Sequence, residues 1–190
     1  WTESPVLFRE GPTLGDVMQG SLPDLWLLGA MACVASHPTL DLVGSLVVSN
    51  EADFLEYGII TFRFYKEGEW VEVPVDTRVP FAGEMPLYSR SADPSEVWVP
   101  LLEKAYAKLH GSYEALAEGD LCEALTDLTG GVTTVVDLTD DAATAAIDGG
   151  LLWKKVCRYI KWGYLLSCCM EMLGGDAEEE TEKGILQNHA

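Results

Sequence analysis

An uncharged apolar stretch, Leu25–Ala35, constrains the fold of this chain more than any other segment. The preceding Ser21-Leu22-Pro23-Asp24 is typical of a helix start, because serine and aspartate cap free N–H groups and proline is tolerated in the first turn. Since the stretch is apolar on every side, we predict a helix that runs through the interior and ends before Pro38. It is too short for a bilayer, which needs about 20 residues, so no membrane span is predicted.

The remaining elements mix strands and helices, which predicts an α+β fold. Alternating apolar residues at 58–65 and 69–76 indicate two strands of a hairpin. Helical spacing predicts a helix opened by Pro94-Ser95-Glu96 and a shorter one that stops at Gly130-Gly131, which we take as a domain boundary. Beyond it we predict a strand at 132–138, helix at 142–162 with a break at 149–150, a buried strand at 163–172 and a strand beginning at 184–190.

Charge and cysteine content exclude several functional classes. The chain has 12 Lys+Arg against 31 Asp+Glu and a net charge of −19, which argues against nucleic-acid binding and against an anionic membrane surface. Its 5 cysteines lack the spacing of a metal site or disulfide framework, so we expect reduced thiols in the cytosol. One helical face carries Lys154, Lys155, Arg158 and Lys161. This face either docks an acidic partner or is simply solvated, and the second interpretation is favoured.

The segment 16–30, DVMQGSLPDLWLLGA, resembles the active-site segment of the calpain family of intracellular, calcium-dependent cysteine proteases. Further motifs of that family follow in order, among them GEWVEV at 68–73, LLEKAYAK at 101–108 and TGG at 129–131. The resemblance covers nearly the whole chain. It implies a papain-like core, with a mainly helical first subdomain at 1–131 and the start of a β-rich second subdomain at 132–190.

The resemblance also implies catalytic positions. The family uses a cysteine in the first turn of a buried helix, a histidine from the facing subdomain and a glutamine that donates to the oxyanion. Gln19 matches the oxyanion glutamine and His189 the general base. The nucleophile position holds Leu25, and Pro23 replaces the family's glycine.

Leucine has no lone pair and no dissociable proton, so no neighbouring group can activate Leu25. Cys33 cannot replace it, because it lies about two helical turns, or roughly 12 Å, further along. We therefore expect a non-catalytic, calcium-responsive binding or scaffold module in the cytoplasm, with protein or peptide ligands. The resemblance to altered calpain-like proteins of protists adds cytoskeletal proteins as partners. An active calcium-dependent endopeptidase and a decaying protein without selected function are the alternatives.

The resemblance implies a calcium site in the first subdomain. Its ligands would be the carboxylates of Asp16 and Glu96 and the backbone carbonyls of Arg9 and Gly11. Ligation by oxygen alone suits Ca²⁺. Taken separately, Asp16 caps a turn and Glu96 sits near a helix N-terminus, where an acid is favoured in any case. The cation of Arg9 would weaken the affinity of such a site.

Overall fold

The computed structural model describes residues 4–50 and 53–169. Strands and helices are largely segregated along this part of the chain, with five strands in succession at 59–91 and four α-helices at 98–161, which confirms the predicted α+β class. The α-helices are α1 Leu25–Ala35, α2 Trp98–His110, α3 Leu121–Thr129, α4 Asp141–Asp148 and α5 Leu151–Lys161. The strands are β1 Val17–Met18, β2 Ile59–Lys66, β3 Glu69–Asp76, β4 Phe81–Ala82, β5 Met85–Pro86 and β6 Arg90–Ser91. They form three antiparallel pairs, β1 with β6, β2 with β3 and β4 with β5.

Helix α1 runs through the interior, as its sequence predicts. It contains no charged residue, and it contacts α3, β1 and the single turn at Leu14–Asp16. Its buried side chains are Leu27, Leu28, Ala30, Met31, Cys33 and Val34. The helix ends at Ala35, before Pro38.

The β2–β3 hairpin supplies the second wall of this core. Glu67 and Gly68 both have positive φ, at 53° and 93°, which is the geometry that a tight two-residue turn between twisted strands requires. The alternation predicted from the sequence is confirmed, because Ile60, Phe62 and Phe64 are all fully buried. They face α2 and α3, which contact the same hairpin.

Helix α2 is the central helix of the first part of the chain. Its large side chains Trp98, Leu101 and Tyr106 are fully buried. It begins at Trp98, slightly later than the sequence indicates, and Gly111 at a φ of 105° ends it. Helix α3 ends in the same way, at Gly130 in the left-handed region with a φ of 68°.

Two predicted strands after residue 131 are wrong. Residues 132–138 form no strand and leave Val132 98% exposed, and residues 164–169 form none either. Apolar alternation marks a segment that can pair, but a strand also needs a second strand beside it, and neither 132–138 nor 164–169 pairs with a strand among the described residues. The predicted helical region is confirmed as α4 and α5, with the break at Gly149-Gly150. The predictions for 170–172 and 184–190 lie outside the described residues.

Within residues 4–50 and 53–169, no helix combines the length and the hydropathy needed to span a membrane.

Candidate functional site

The candidate site is built around the beginning of α1. The backbone carbonyl of Asp24 accepts hydrogen bonds from the N–H groups of Leu27 and Leu28, at 2.9 and 3.1 Å, and so closes the first turn. Leu25 is the first residue of the helix and is half-buried. The side chain in the position of a nucleophile is therefore held by regular helical backbone.

The loop that leads into α1 lies tightly against the segment before β6. The N–H and hydroxyl groups of Ser21 both donate to the carbonyl of Leu87, at 3.0 and 2.8 Å. A Cβ atom at Gly20 would lie 1.9 Å from the carbonyl oxygen of Tyr88, so only glycine fits there. This close approach fixes the loop on which Gln19 lies.

Gln19 is bonded at both its side chain and its backbone. Its side-chain Nε2 donates to the carbonyl of Leu22 at 3.0 Å, and its own carbonyl accepts from Arg90 at 3.1 Å. The amide that matches an oxyanion donor therefore contacts the loop itself. To donate to a ligand, the side-chain amide of Gln19 would have to break its hydrogen bond to the carbonyl of Leu22.

Cys33 has none of the properties of an activated thiol. It is 8% exposed, and its Sγ donates to the carbonyl of Leu166 at 3.5 Å. Burial raises the pKa of this thiol, whereas a nucleophilic cysteine needs a lowered pKa. His189 lies outside the described residues, so the structure places Gln19 and Leu25 alone of the three predicted catalytic positions.

The N-terminal segment brings three of the four predicted calcium ligands together. Val6 forms a parallel bridge with Glu96, and this pairing places Arg9 beside the Glu96 carboxyl. The backbone N–H of Arg9 donates to Glu96 Oε1 at 2.9 Å, and the N–H of Thr13 donates to Asp16 Oδ2 at 2.6 Å. Gly11 lies on the intervening loop at a φ of 92°.

Electrostatics at these residues favour a cation. Glu96 is only 4% exposed, and burial raises the pKa of its carboxyl. The N–H of Arg9 opposes that rise, whereas the charges of Asp16 and Asp93 add to it. A positive ion would relieve this repulsion, and the available donors are all oxygen atoms. The guanidinium of Arg9 already supplies part of the charge, since it lies 2.7 Å from Asp93 and donates to Ser95.

No group of three or more histidine, cysteine or acidic side chains that could hold a metal occurs in the described part of the chain. A calcium ion at this position would therefore depend on two carboxylates, backbone carbonyls and water.

Sequence reasoning missed a buried pair of acids directly behind the site. Asp24 is 0% exposed and Glu103 is 1% exposed. Burial is the main cause that raises the pKa of Asp24 to about 6 and that of Glu103 to about 8. The sequence does contain a signal, because Glu103 lies one helical turn from the buried Val99 and Tyr106 and is therefore an acid on the apolar face of α2.

Comparisons with known proteins point to one family. The family model described as "Calpain family cysteine protease" matches residues 1–190. Calpain-B of Drosophila melanogaster is 40% identical over 191 residues, which are 99% of this chain and 20% of that protein. Calpain clp-1 of Caenorhabditis elegans is 40% identical over 192 residues, 100% of this chain and 23% of that protein. Calpain-8 of Homo sapiens is 37% identical over 190 residues, 98% of this chain and 26% of that protein.

Proposed function

Because the chain belongs to the calpain family of cysteine proteases, we propose that it is a protease-core region that has lost catalysis and acts as a binding or scaffold module. The chain spans 20% of the length of Calpain-B and 26% of that of Calpain-8. The division into subdomains at 1–131 and 132–190 is part of this proposal, and it is supported by the end of α3 at Gly130.

One observation supports the loss of catalysis. Leu25, the first residue of α1, stands at the position of the family's nucleophile. The helix N-terminus would stabilise a thiolate there, but a leucine side chain has no group that can carry the charge. Gln19, which matches the oxyanion glutamine, is still present on the loop before α1, so binding of an extended peptide is retained although chemistry is lost. Protein or peptide ligands, with cytoskeletal proteins among them, and a cytoplasmic location belong to the same proposal.

The decisive experiment assays the full-length protein on a fluorogenic peptide, with and without calcium, in parallel with Leu25→Cys and Leu25→Ala. We expect no turnover above background from the unmodified protein and from Leu25→Ala. Leu25→Cys tests whether the rest of the site still supports chemistry, and it should acquire a thiol at position 25 that an alkylating reagent labels. Calcium-dependent turnover by the unmodified protein that an alkylating reagent abolishes would instead establish the alternative, an active endopeptidase.

Calcium responsiveness is a second part of the proposal. Asp16 and Glu96 would supply carboxylate oxygens, and Arg9 and Gly11 backbone carbonyls. A bound ion would join the N-terminal segment to the start of α2, because these residues come from both. The clustering of Asp16 and Asp93 around the buried Glu96 supports the site, and the guanidinium of Arg9 weakens it.

Melting temperatures with and without Ca²⁺ test this site. The unmodified protein should melt at a higher temperature in calcium, and Asp16→Ala should remove that difference. Arg9→Gln should enlarge it, because the competing cation is gone. Glu84→Ala, which removes an exposed acid from the β4–β5 turn, is the matched control and should leave the calcium effect unchanged. An equal calcium effect in Asp16→Ala would reject the site while leaving the proposed loss of catalysis untouched.

A further inference from the structure

We propose that Asp24 and Glu103 share a single proton, and that this proton fastens the start of α1 to α2. The pair lies behind the nucleophile position and is used neither by the proposed loss of catalysis nor by the calcium site. Asp24 and Glu103 therefore have a structural and pH-sensing role in the core.

The geometry requires a proton between them. Both carboxyls are almost completely buried, and neither oxygen atom of Asp24 has an N–H or O–H partner on another residue of the described structure. The carboxyl of Glu103 lies within hydrogen-bonding reach of the carboxyl of Asp24. Two carboxylates only accept hydrogen bonds, so they form one only when one of them is protonated. Two buried like charges in contact would be strongly unfavourable.

The shared proton belongs to the pair. The backbone N–H of Ser89 donates to both oxygen atoms of Glu103, at 3.1 and 3.2 Å, and so favours the carboxylate form of Glu103, whereas burial opposes that form. The two carboxyls therefore titrate as one coupled pair with a single proton between them.

The surrounding groups do not supply a cation in place of the proton. Tyr88 and Tyr113 stack over this region with ring centroids 4.0 Å apart, and Asp76 adds negative charge on the same side. Lys104, the neighbour of Glu103 on α2, is held 3.0 Å from the Asp76 carboxylate and also donates to two backbone carbonyls. On α1 itself, the titratable residue is Cys33. No lysine, arginine or histidine acts on either carboxyl in the described residues.

The proton joins three elements that shape the site. Asp24 stands at the N-terminus of α1, Glu103 lies in the middle of α2, and Ser89 precedes β6. The loop before α1 is bound to the same segment as Ser89, because the N–H and hydroxyl groups of Ser21 donate to the carbonyl of Leu87. Loss of the proton would place two charges in contact at this junction and weaken the attachment of the start of α1 and of the loop with Gln19.

The sign of the pH effect follows from the direction of the shifts. Both pKa values are raised on folding, so the folded chain holds a proton that the unfolded chain releases. Stability from this pair is complete below the ordinary carboxyl range. It declines as the pH rises and is lost above the Glu103 pKa of about 8.

Infrared spectroscopy and thermal unfolding of the full chain test the shared proton. At pH 7, the C=O stretching band of a protonated carboxylic acid should be present in the unmodified protein and absent from Glu103→Gln and Asp24→Asn. Between pH 6 and pH 9 the melting temperature of the unmodified protein should fall by about 5 °C more than that of either variant. Each variant retains an amide donor in the pair, so both should fold. Glu84→Gln, which removes an exposed acid, controls for net charge and should behave as the unmodified protein.

Absence of the acid band at pH 7 would overturn the proposal. The same conclusion would follow if Glu103→Gln and Asp24→Asn both kept the full pH dependence of the unmodified protein. If one variant fails to fold, the band and the pH profile of the other decide the outcome.

Discussion

Helices α1 and α5 each contain 11 residues, yet their surroundings are opposite. Helix α1 is apolar on all sides and is buried in the first part of the chain. Helix α5 has one apolar and one basic face, and none of its residues is buried, with Trp153 69% exposed. Both helices were predictable, because helix formation depends mainly on local spacing. The burial of α1 was also predictable, because it is apolar on every side. The exposure of α5 was not, because the burial of a helix with one apolar face depends on which other elements cover that face.

Charged residues differ between the two regions in the same way. In the first part, Lys66 lies 2.8 Å from the buried Asp127, which also accepts from the hydroxyl of Tyr106. On α5, Lys155 and Arg158 lie over aromatic rings of their own segment, and among the described residues they form no ion pair. Buried polar groups are costly without partners, so only the first region makes its charges part of the core.

The largest expected difference between the regions is the cost of removing a leucine. Leu27→Ala should lower the free energy of unfolding by about 2–5 kcal/mol, because Leu27 is fully buried and its loss leaves a cavity. Leu151→Ala, at a position that is 63% exposed, should change it by less than about 0.5 kcal/mol. Urea denaturation of both variants measures the contrast. Equal costs would mean that α5 is covered in solution.

A smaller difference in the free energy of unfolding is expected between removing a buried acid and removing an exposed acid. Asp127→Ala should cost about 1–3 kcal/mol at pH 7, because it leaves the hydroxyl of Tyr106 without its acceptor and Lys66 with Glu123 alone. Burial opposes ionisation of Asp127, but the neighbouring side chains of His110, Lys66 and Tyr106 outweigh burial and lower its pKa.

The stability that Asp127 contributes is therefore present above the ordinary carboxyl range and is lost as the pH falls through the lowered pKa of Asp127. The difference between Asp127→Ala and the unmodified protein should accordingly shrink in acid. Asp148→Ala, at the exposed end of α4, is the matched variant and should be nearly neutral. A constant difference from pH 7 down to pH 3 would contradict the assignment. Chemical denaturation across this pH range gives the values.

The smallest effect is expected on the basic face of α5. A Lys154→Gln, Lys161→Gln double variant should change the free energy of unfolding by less than about 0.5 kcal/mol, because both side chains are exposed. Lys66→Gln should cost more, since it breaks the contacts with Glu123 and Asp127. A large loss in the double variant would show that the α5 cations have partners in the folded protein.

Local signals in the sequence determined much of the fold. The uncharged run of α1, the alternation of β2 and β3 and the glycines after α2 and α3 act over a few residues, so they could be read directly. The strands predicted at 132–138 and over 163–169, the described part of 163–172, fail for the opposite reason. Their apolar pattern is local, but pairing requires a second strand whose position no local pattern specifies.

The candidate site likewise contains residues that are close in the sequence and residues that only the tertiary structure brings together. Gln19 and Leu25 are close in the sequence, so the order of motifs alone revealed both the loop and the missing nucleophile. Asp16 and Glu96 come together because β1 pairs with β6 and the carbonyl of Asp16 accepts from Ala92, four residues before Glu96. Asp24 and Glu103 meet only because α1 and α2 share one core, and their need for a proton arises from burial. The sequence by itself determined which chemical groups this chain has and lacks, while the tertiary structure decided which of them lie in contact without water, where the energy of a charge depends on its neighbours.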